Sequence, residues 1–213
     1  INARDILSAL QAASLDLVLI NTPPPNWTGG DRGFAAIPGG QDRFRYDFKR
    51  ALRYADVLGA QMVHIMSGGG RGEGADAAMI ENLKWATEYA PKQRLTIEPI
   101  NTDDMPGYFL DSFDRAADIL DEIAAPNLAL QFDTYHAHKI TRDVSATWDK
   151  HGHRAGHIQI AGTPDRNEPI KGDIDYPEFF RKLDDAGYQG HVSAEYHPAG
   201  LTTDGLGWLK NAR

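Results

Sequence analysis

The sequence predicts an α/β fold with a parallel sheet, of the (β/α)8 TIM-type barrel class. Two observations carry this prediction. Short apolar segments with strand character alternate with amphipathic helical segments along the chain, which is typical of a parallel sheet covered by helices. Acidic or amide residues appear where several of these strands should end, and a (β/α)8 barrel places its active site at that end of its strands.

Six strands are predicted from runs of apolar and β-branched residues. The first run, Leu17-Val18-Leu19-Ile20, is continuous and predicts a strand that is buried on both faces. Glu98 lies near the carboxyl end of the third strand. Pro99 holds it in an extended conformation, because the residue before a proline avoids the helical region. The predicted strands cover residues 16–21, 61–66, 94–100, 128–133, 155–160 and 191–196.

The helices between the strands are predicted from apolar residues at helical spacing and from capping residues. Asn2 can cap the first helix, and Asp175 can cap a later one that has Pro177 near its first position. Gly59 and Gly187 mark helix ends, because glycine readily adopts the left-handed conformation common there. Further helices are predicted over residues 42–58, 76–90, 111–123, 143–151, 175–186 and 205–212. A loop rich in proline and glycine, residues 22–41, is typical of a lid or binding loop.

The chain length bears on how complete the barrel is. A whole (β/α)8 barrel usually needs about 250 residues, whereas this chain has 213 residues and six predicted strands. We therefore expect a barrel that lacks its amino-terminal strand-helix-strand. No linker or composition break divides the chain, so a single domain is expected over residues 1–213. An open doubly wound sheet is the competing fold, but it would bind its ligand at one switch point instead of four successive strand ends.

Composition excludes several classes of function. The net charge of −8 and the absence of a basic tract argue against a nucleic-acid partner. With no cysteine in the sequence, disulfides, thiolate metal sites and cysteine nucleophiles are excluded. No apolar run approaches the ~20 residues of a membrane span, so no membrane association is expected. No signal peptide is visible, and a cytoplasmic location is the expectation.

Four residues at strand ends form the predicted metal site: Glu98, Asp133, Gln159 and Glu195. They are separated by 35, 26 and 36 residues, each close to the roughly 30 residues of one strand-helix unit. Individually they have ordinary interpretations, such as a buried acid paired to an arginine, a helix cap or a hydrogen-bonded amide. Together they predict convergence, and three close carboxylates require a cation to stay ionised. Ligands that are all oxygen favour Mg²⁺ or Mn²⁺ over zinc.

Three further residues are candidates for binding a substrate. His64 lies near the end of its strand and is either a hydrogen-bonded barrel residue or a substrate contact. His136 follows Asp133 by three residues and can face the same pocket. Arg166 lies on the loop after the strand that carries Gln159, where it forms either a surface salt bridge or a bidentate clamp for a substrate carboxylate.

With these residues identified, the chain resembles the hydroxypyruvate isomerase family, which includes 2-oxo-tetronate isomerases, of the xylose isomerase-like barrels. The resemblance covers nearly the whole chain, and the glutamine at the third ligand position is its most specific feature, since related sugar epimerases usually carry histidine there. It rests on these segments: Gly30-Asp31-Arg32-Gly33-Phe34-Ala35-Ala36, Glu98-Pro99-Ile100-Asn101, Gln131-Phe132-Asp133-Thr134-Tyr135-His136, His157-Ile158-Gln159-Ile160-Ala161 and Glu195-Tyr196.

The resemblance implies an aldose-ketose type isomerase that acts on a small hydroxy-carbonyl acid, either hydroxypyruvate or a 2-oxo-tetronate. It implies that Glu98 and Glu195 bind the metal and also transfer protons. Exposed helices of such barrels commonly support dimers, so a homo-oligomer is expected. Two alternatives stay open: a C3 ketose epimerase with the same site, and a non-catalytic barrel that binds sugar acids or forms an interface. An endonuclease would need a histidine-rich multi-zinc site and a basic DNA face, which the sequence does not offer.

Overall fold

The computed structural model describes residues 2–22, 32–170 and 172–210. Part of the predicted binding loop, residues 23–31, and the end of the predicted closing helix, residues 211–212, lie outside this part of the chain. The chain divides into two compact units, Ile1–Leu130 and Gln131–Arg213. The boundary falls within one strand, so that strand contributes residues to both units.

The first unit alternates helices and strands as the sequence predicts. In chain order its elements are α1 (Ala3–Ala13), β1 (Leu19–Asn21), α2 (Gln41–Leu58), β2 (Met62–His64), α3 (Ala75–Tyr89), β3 (Arg94–Ile97), α4 (Phe113–Ile123) and the first half of β4 (Leu128–Asp133). The predicted cap of α1 forms as expected, since the side chain of Asn2 accepts a hydrogen bond from Arg4 N. At the start of α4, the side chain of Ser112 accepts one from Arg115 N. Gly59 ends α2 in the left-handed conformation, with φ of 68°.

Strands β1 to β4 of the first unit are parallel and pair in chain order. The register aligns Asn21 with His64, and His64 with Thr96. Because side chains alternate between the faces of a strand, these three side chains lie on one face. Glu98, two residues beyond Thr96, continues that face at the carboxyl end of β3.

Two loops of the first unit pack against each other at glycine positions. Gly33 pairs with Ser67 in an isolated antiparallel bridge, and Ala36 N donates to Ser67 O over 2.8 Å. A Cβ atom on Gly68 would lie 2.2 Å from Gly33 O, and one on Gly70 would lie 2.1 Å from Ala36 O. Glycine is therefore required for this approach of two backbones, which fixes the loop that follows β2.

The second unit contains the end of β4 and the elements that follow it: α5 (Thr134–Thr141), α6 (Val144–His151), β5 (Ala155–Ile160), α7 (Tyr176–Asp185), β6 (Val192–Ala194) and α8 (Thr202–Gly205), with short 3₁₀ turns at Gly152–Arg154 and Leu206–Lys210. Its strand order is β4-β5-β6, and β5 and β6 are parallel. Asp175 caps α7 by accepting from Glu178 N over 3.0 Å, as predicted.

An aromatic cluster forms the core of the second unit. Phe132 packs edge-on against Trp148 at 5.2 Å between ring centroids and stacks on Phe179 at 6.0 Å. Phe132 belongs to β4, Trp148 to α6 and Phe179 to α7, so the cluster joins both helices to the strand. Since Phe132 points into this core, its neighbours Gln131 and Asp133 point to the opposite face of β4.

Three details of the sequence prediction are wrong. The strand β1 is half-buried to exposed instead of buried on both faces, and it lies at the end of the order of described strands with β2 beside it. The predicted strands 16–21, 61–66, 94–100 and 191–196 are shorter in the structure. The helix α5 was not predicted, although Asp133-Thr134-Tyr135-His136 was interpreted as a possible capping turn.

Among the helices of the described residues, none has the length and apolar character to cross a bilayer.

Candidate active site

Asp133 is the best-defined acid of the second unit. It is the last residue of β4 and caps α5, so that its Oδ1 accepts hydrogen bonds from Tyr135 N at 2.7 Å and His136 N at 3.1 Å. The residue is fully buried. Within the described part of the chain no hydrogen bond reaches its buried Oδ2. A ring nitrogen of His136 lies within 4.8 Å of a carboxylate oxygen of Asp133, so this turn presents two potential cation ligands.

Gln159 and Glu195 lie on one face of neighbouring strands. Gln159 of β5 is in register with Ser193 of β6, and Glu195 follows Ser193 by two residues, so the side chains share a face. Gln159 Nε2 donates to Glu195 Oε2 over 2.9 Å. On its other side, Gln159 Oε1 accepts from Gln131 Nε2 over 2.6 Å. The result is a line of two amides that ends on a carboxylate.

Arg166 connects two of the predicted ligands. Its Nη2 lies 3.0 Å from Glu195 Oε2 and 3.5 Å from Asp133 Oδ2, and its guanidinium lies 5.0 Å from the centre of the Tyr135 ring. The side chain is 20% exposed, so it is screened from water enough for these contacts to matter. Its backbone is left-handed, with φ of 56°, and its carbonyl accepts from His197 N over 2.8 Å. Arg166 is therefore held with its charge toward the carboxylates.

The pKa of Glu195 is raised above the ordinary glutamate value. The largest cause is desolvation by the surrounding protein, and the negative charge of Asp133 adds to it, while Arg166 acts in the opposite direction. A carboxylate with a raised pKa is a better proton acceptor than an ordinary one. Glu195, whose side chain is 51% exposed, thus has the properties of a general base, and Arg166 favours its ionised form.

Tyr176 supports this face from α7. Its hydroxyl donates to Ala161 O, accepts from Ala161 N over 3.1 Å, and is hydrogen-bonded to Thr134 Oγ1 over 2.8 Å. Burial raises its pKa. The phenol joins the residue after β5 to the first residue of α5, and so holds together the two segments that carry Gln159 and Asp133.

Glu98 and His64 lie together in the first unit. Both are buried, and His64 Nε2 lies 3.7 Å from Glu98 Oε2. His64 Nδ1 lies 3.0 Å from Asn21 Oδ1, which orients the imidazole. Because an amide oxygen can only accept, Nδ1 carries the proton in this pair and Nε2 faces the glutamate.

Within each unit, then, predicted residues are neighbours. Asp133, Gln159, Glu195, Arg166 and His136 gather in the second unit, and Glu98 and His64 gather in the first. Sequence reasoning did not single out Gln131, Tyr176 or Asn21. Strand periodicity could have found Gln131, because it precedes Asp133 by two and therefore shares its face. Tyr176 offers no comparable signal, since its partners lie far from it in the sequence.

Comparison with known proteins identifies the relatives of this chain. A family model described as xylose isomerase-like TIM barrel matches residues 1–212. The chain belongs to this family. A 2-oxo-tetronate isomerase of Cupriavidus necator is 43% identical over 98% of this chain and 82% of the relative, and a hydroxypyruvate isomerase of Escherichia coli is 34% identical over 96% and 82%. The chain also resembles a crystal structure of an AP endonuclease, family 2, from Brucella melitensis, with a TM-score of 0.95 and 38% identity. The match covers 100% of this chain and 84% of that one.

These relatives confirm the resemblance found in the sequence: the chain is a member of the hydroxypyruvate isomerase group of the xylose isomerase-like barrels, and it is an enzyme of the isomerase type. The non-catalytic interpretation of the sequence is therefore set aside. The six parallel strands of the described residues, each followed by a helical segment, are those of this barrel fold.

Proposed function

We propose that this enzyme is a metal-dependent isomerase that interconverts hydroxypyruvate and tartronate semialdehyde or isomerises a 2-oxo-tetronate. The names of the relatives support the substrate class. The observation that carries the proposal is the grouping of two acids at strand ends, Asp133 and Glu195, with Arg166 of the loop after β5. Arg166 Nη2 lies 3.5 Å from Asp133 Oδ2 and 3.0 Å from Glu195 Oε2. This grouping can hold a small acid and move a proton on it.

The residues of the second unit fit a hard divalent cation. Asp133 Oδ2 is buried and, among the described residues, accepts no hydrogen bond. Arg166 Nη2, 3.5 Å away, offsets part of the cost of burying this oxygen, and a metal ion would bind it directly. Gln159 can supply an oxygen without adding negative charge, and Glu195 supplies a second carboxylate. Glu98 of the first unit is proposed as a further ligand on the basis of its strand-end position. Since these donors are oxygens, the proposed cation is Mg²⁺ or Mn²⁺.

A bound divalent cation would stabilise the negative charge that develops on the substrate oxygens when a neighbouring carbon loses its proton. The protein groups perform the transfers. We assign removal of the proton to one glutamate of the pair Glu98 and Glu195, and delivery to the adjacent carbon to the other. For hydroxypyruvate a proton leaves C3 and one is added at C2, while the hydroxyl proton passes from the oxygen on C3 to the oxygen on C2. The carbonyl thereby moves from C2 to C3, and the atoms balance.

Arg166 and His136 are proposed to orient the substrate. The guanidinium has a planar set of donors that matches a carboxylate in a bidentate manner, and its position against the Tyr135 ring leaves it with defined geometry. His136 is buried beside Asp133. His64, next to Glu98, is proposed as a further substrate contact.

The name AP endonuclease, which the Brucella structure carries, does not change the proposed isomerase function. DNA binding by phosphate contacts requires positive charge, and this chain carries a net charge of −8.

A C3 ketose epimerase remains the second candidate, because proton removal and return at a single carbon would use the same groups.

The direct test is an isomerisation assay on protein stripped of metal with EDTA. We expect no conversion of hydroxypyruvate or of a 2-oxo-tetronate by the stripped protein, and recovery on addition of Mg²⁺ or Mn²⁺. The Glu195→Gln variant with added metal should stay inactive. Equal rates with and without EDTA would contradict the metal dependence, and activity of the variant would remove Glu195 from the mechanism.

A further inference from the structure

The amide of Gln159 has a defined orientation. An ionised carboxylate can only accept hydrogen bonds, and Arg166 already donates to the same Glu195 oxygen, Oε2, that Gln159 contacts. The Gln159 atom that faces Glu195 is therefore its nitrogen, and its oxygen faces Gln131. In this arrangement the only Gln159 atom able to bind a hard cation is turned away from Glu195.

Gln131 is the residue that satisfies the other end of this amide. It is 1% exposed, and Gln159 is 8% exposed, so neither amide can readily exchange its partner for water. A buried amide that loses its hydrogen-bond partner destabilises the arrangement that contains it. Gln131 lies on β4 two residues before Asp133, beside Gln159 of β5. It is therefore further from the carboxyl end of β4 than Asp133 is, and it is not itself one of the proposed ligands.

We propose that Gln131 is a positioning residue that holds the Gln159 amide in a defined orientation, and that both amides rotate together when a divalent cation binds. The inference rests on the proposed function, in which Gln159 is a ligand. An amide can donate or accept, so after both have turned, Gln159 Nε2 donates to Gln131 Oε1. Gln159 Oε1 is then directed toward the cation. A methionine or leucine in place of Gln131 could support neither orientation.

The inference is tested by Mn²⁺ binding, measured from the electron paramagnetic resonance signal of free Mn²⁺, on the full chain without substrate. The proteins are the wild type, Gln131→Met, Gln159→Met and the double variant. Methionine keeps the length and approximate volume of glutamine. Gln93→Met is the matched control, because the amide of Gln93 donates to the backbone carbonyl of Gln61 over 3.0 Å in the first unit.

Residues that orient metal ligands typically contribute about 10–100-fold to metal affinity. We expect Gln131→Met to weaken Mn²⁺ binding by about tenfold or more, and Gln93→Met to leave it unchanged. Because Gln131 acts through Gln159, the double variant should bind no more weakly than Gln159→Met alone. Additive losses, or wild-type binding by Gln131→Met, would overturn the inference.

The outcomes separate this inference from the proposed function. If both single variants bind Mn²⁺ like the wild type while metal-dependent isomerisation is seen and Glu195→Gln abolishes it, the inference fails and the function stands. If the wild type binds no Mn²⁺, the metal-dependent function fails and takes the inference with it. Should Gln131→Met not fold by circular dichroism, Gln131→Leu with Gln159→Leu and their double variant provide the same cycle.

Discussion

Arg166 donates a hydrogen bond of 3.0 Å from its Nη2 to Oε2 of Glu195. The same nitrogen lies 3.5 Å from Oδ2 of Asp133, so one positive charge lies beside two acids. Desolvation and, to a smaller extent, the negative charge of Asp133 raise the pKa of Glu195, and the charge of Arg166 acts in the opposite direction. The second unit thus groups a candidate proton acceptor, Glu195, a helix-capping acid, Asp133, and a cation, Arg166.

Glu195→Gln is expected to abolish proton transfer while preserving the fold. Glutamine keeps the shape and can still accept from Gln159 and Arg166, but it cannot take up a proton. Loss of a general base typically lowers turnover about 10²–10⁴-fold, and we expect kcat to fall within or beyond that range. Glu122→Gln, which alters an exposed acid paired with Lys84 at 3.3 Å, is the control and should retain full activity.

Arg166→Lys is expected to weaken substrate binding more than it slows the chemical step. Lysine keeps the charge but loses the planar pair of donors that matches a carboxylate. A hydrogen bond to a charged group contributes about 1.5–3 kcal/mol, so KM should rise about 10–100-fold, with a smaller fall in kcat. Arg43→Lys, which alters an arginine–aspartate pair of 2.8 Å in the first unit, should leave both constants unchanged. A fall in kcat at constant KM would assign Arg166 to the chemistry instead.

Tyr176→Phe is expected to alter how stability depends on alkaline pH. The pKa of Tyr176 is raised in the folded protein, so above the unfolded tyrosine value of about 10 the unfolded chain loses its proton first. The contribution is fully present below pH 10 and is lost as the pH rises further, at up to about 1.4 kcal/mol per pH unit. The gap in unfolding free energy between wild type and variant should therefore narrow from pH 9 to 11.

The measurement is urea unfolding at each pH. Tyr46→Phe is the control, because Tyr46 is 60% exposed, and its substitution should shift the curve little at any pH. A gap between the wild type and Tyr176→Phe that stays constant across this range would contradict the assignment of the buried phenol.

Gly68→Ala is expected to destabilise the protein far more than Gly39→Ala. The two glycines have similar backbone angles, φ of 80° and 77°, but a Cβ at Gly68 would lie 2.2 Å from Gly33 O, whereas one at Gly39 would contact nothing within 4 Å. Gly39→Ala should therefore show only the left-handed penalty of about 1–2 kcal/mol. Gly68→Ala adds the backbone clash, and equal losses of unfolding free energy would show that the loops can separate freely.

Local sequence chemistry predicted much of the fold. The strands at Leu128–Asp133 and Ala155–Ile160 have the predicted bounds, because apolar alternation and flanking turns agree there. The caps at Asn2 and Asp175 were predicted for a similarly local reason, the residue type at the start of each helix. The half-buried state of β1 could not be read from its apolar run, since burial depends on what packs against the strand.

The candidate site was predictable where strand periodicity and strand ends decide it. Asp133, Gln159 and Glu195 follow from those two rules, and the structure places them on the β4-β5-β6 face of the second unit. The orientation of the Gln159 amide was not predictable, because it depends on which groups lie on either side of it. Arg166 was named from its loop position, but its orientation was not predictable either. That orientation depends on a left-handed backbone and a tertiary contact with Tyr135, neither of which has a signature in the sequence.

The most direct test of the account is proton NMR of hydroxypyruvate incubated in D₂O with the enzyme and Mg²⁺. We expect tartronate semialdehyde that carries deuterium at C2 and a loss of proton signal at C3 of the remaining substrate. Glu195→Gln should show neither change above the rate without protein. Rapid isomerisation with no solvent deuterium in product or substrate, or full exchange catalysed by Glu195→Gln, would contradict proton transfer by these carboxylates.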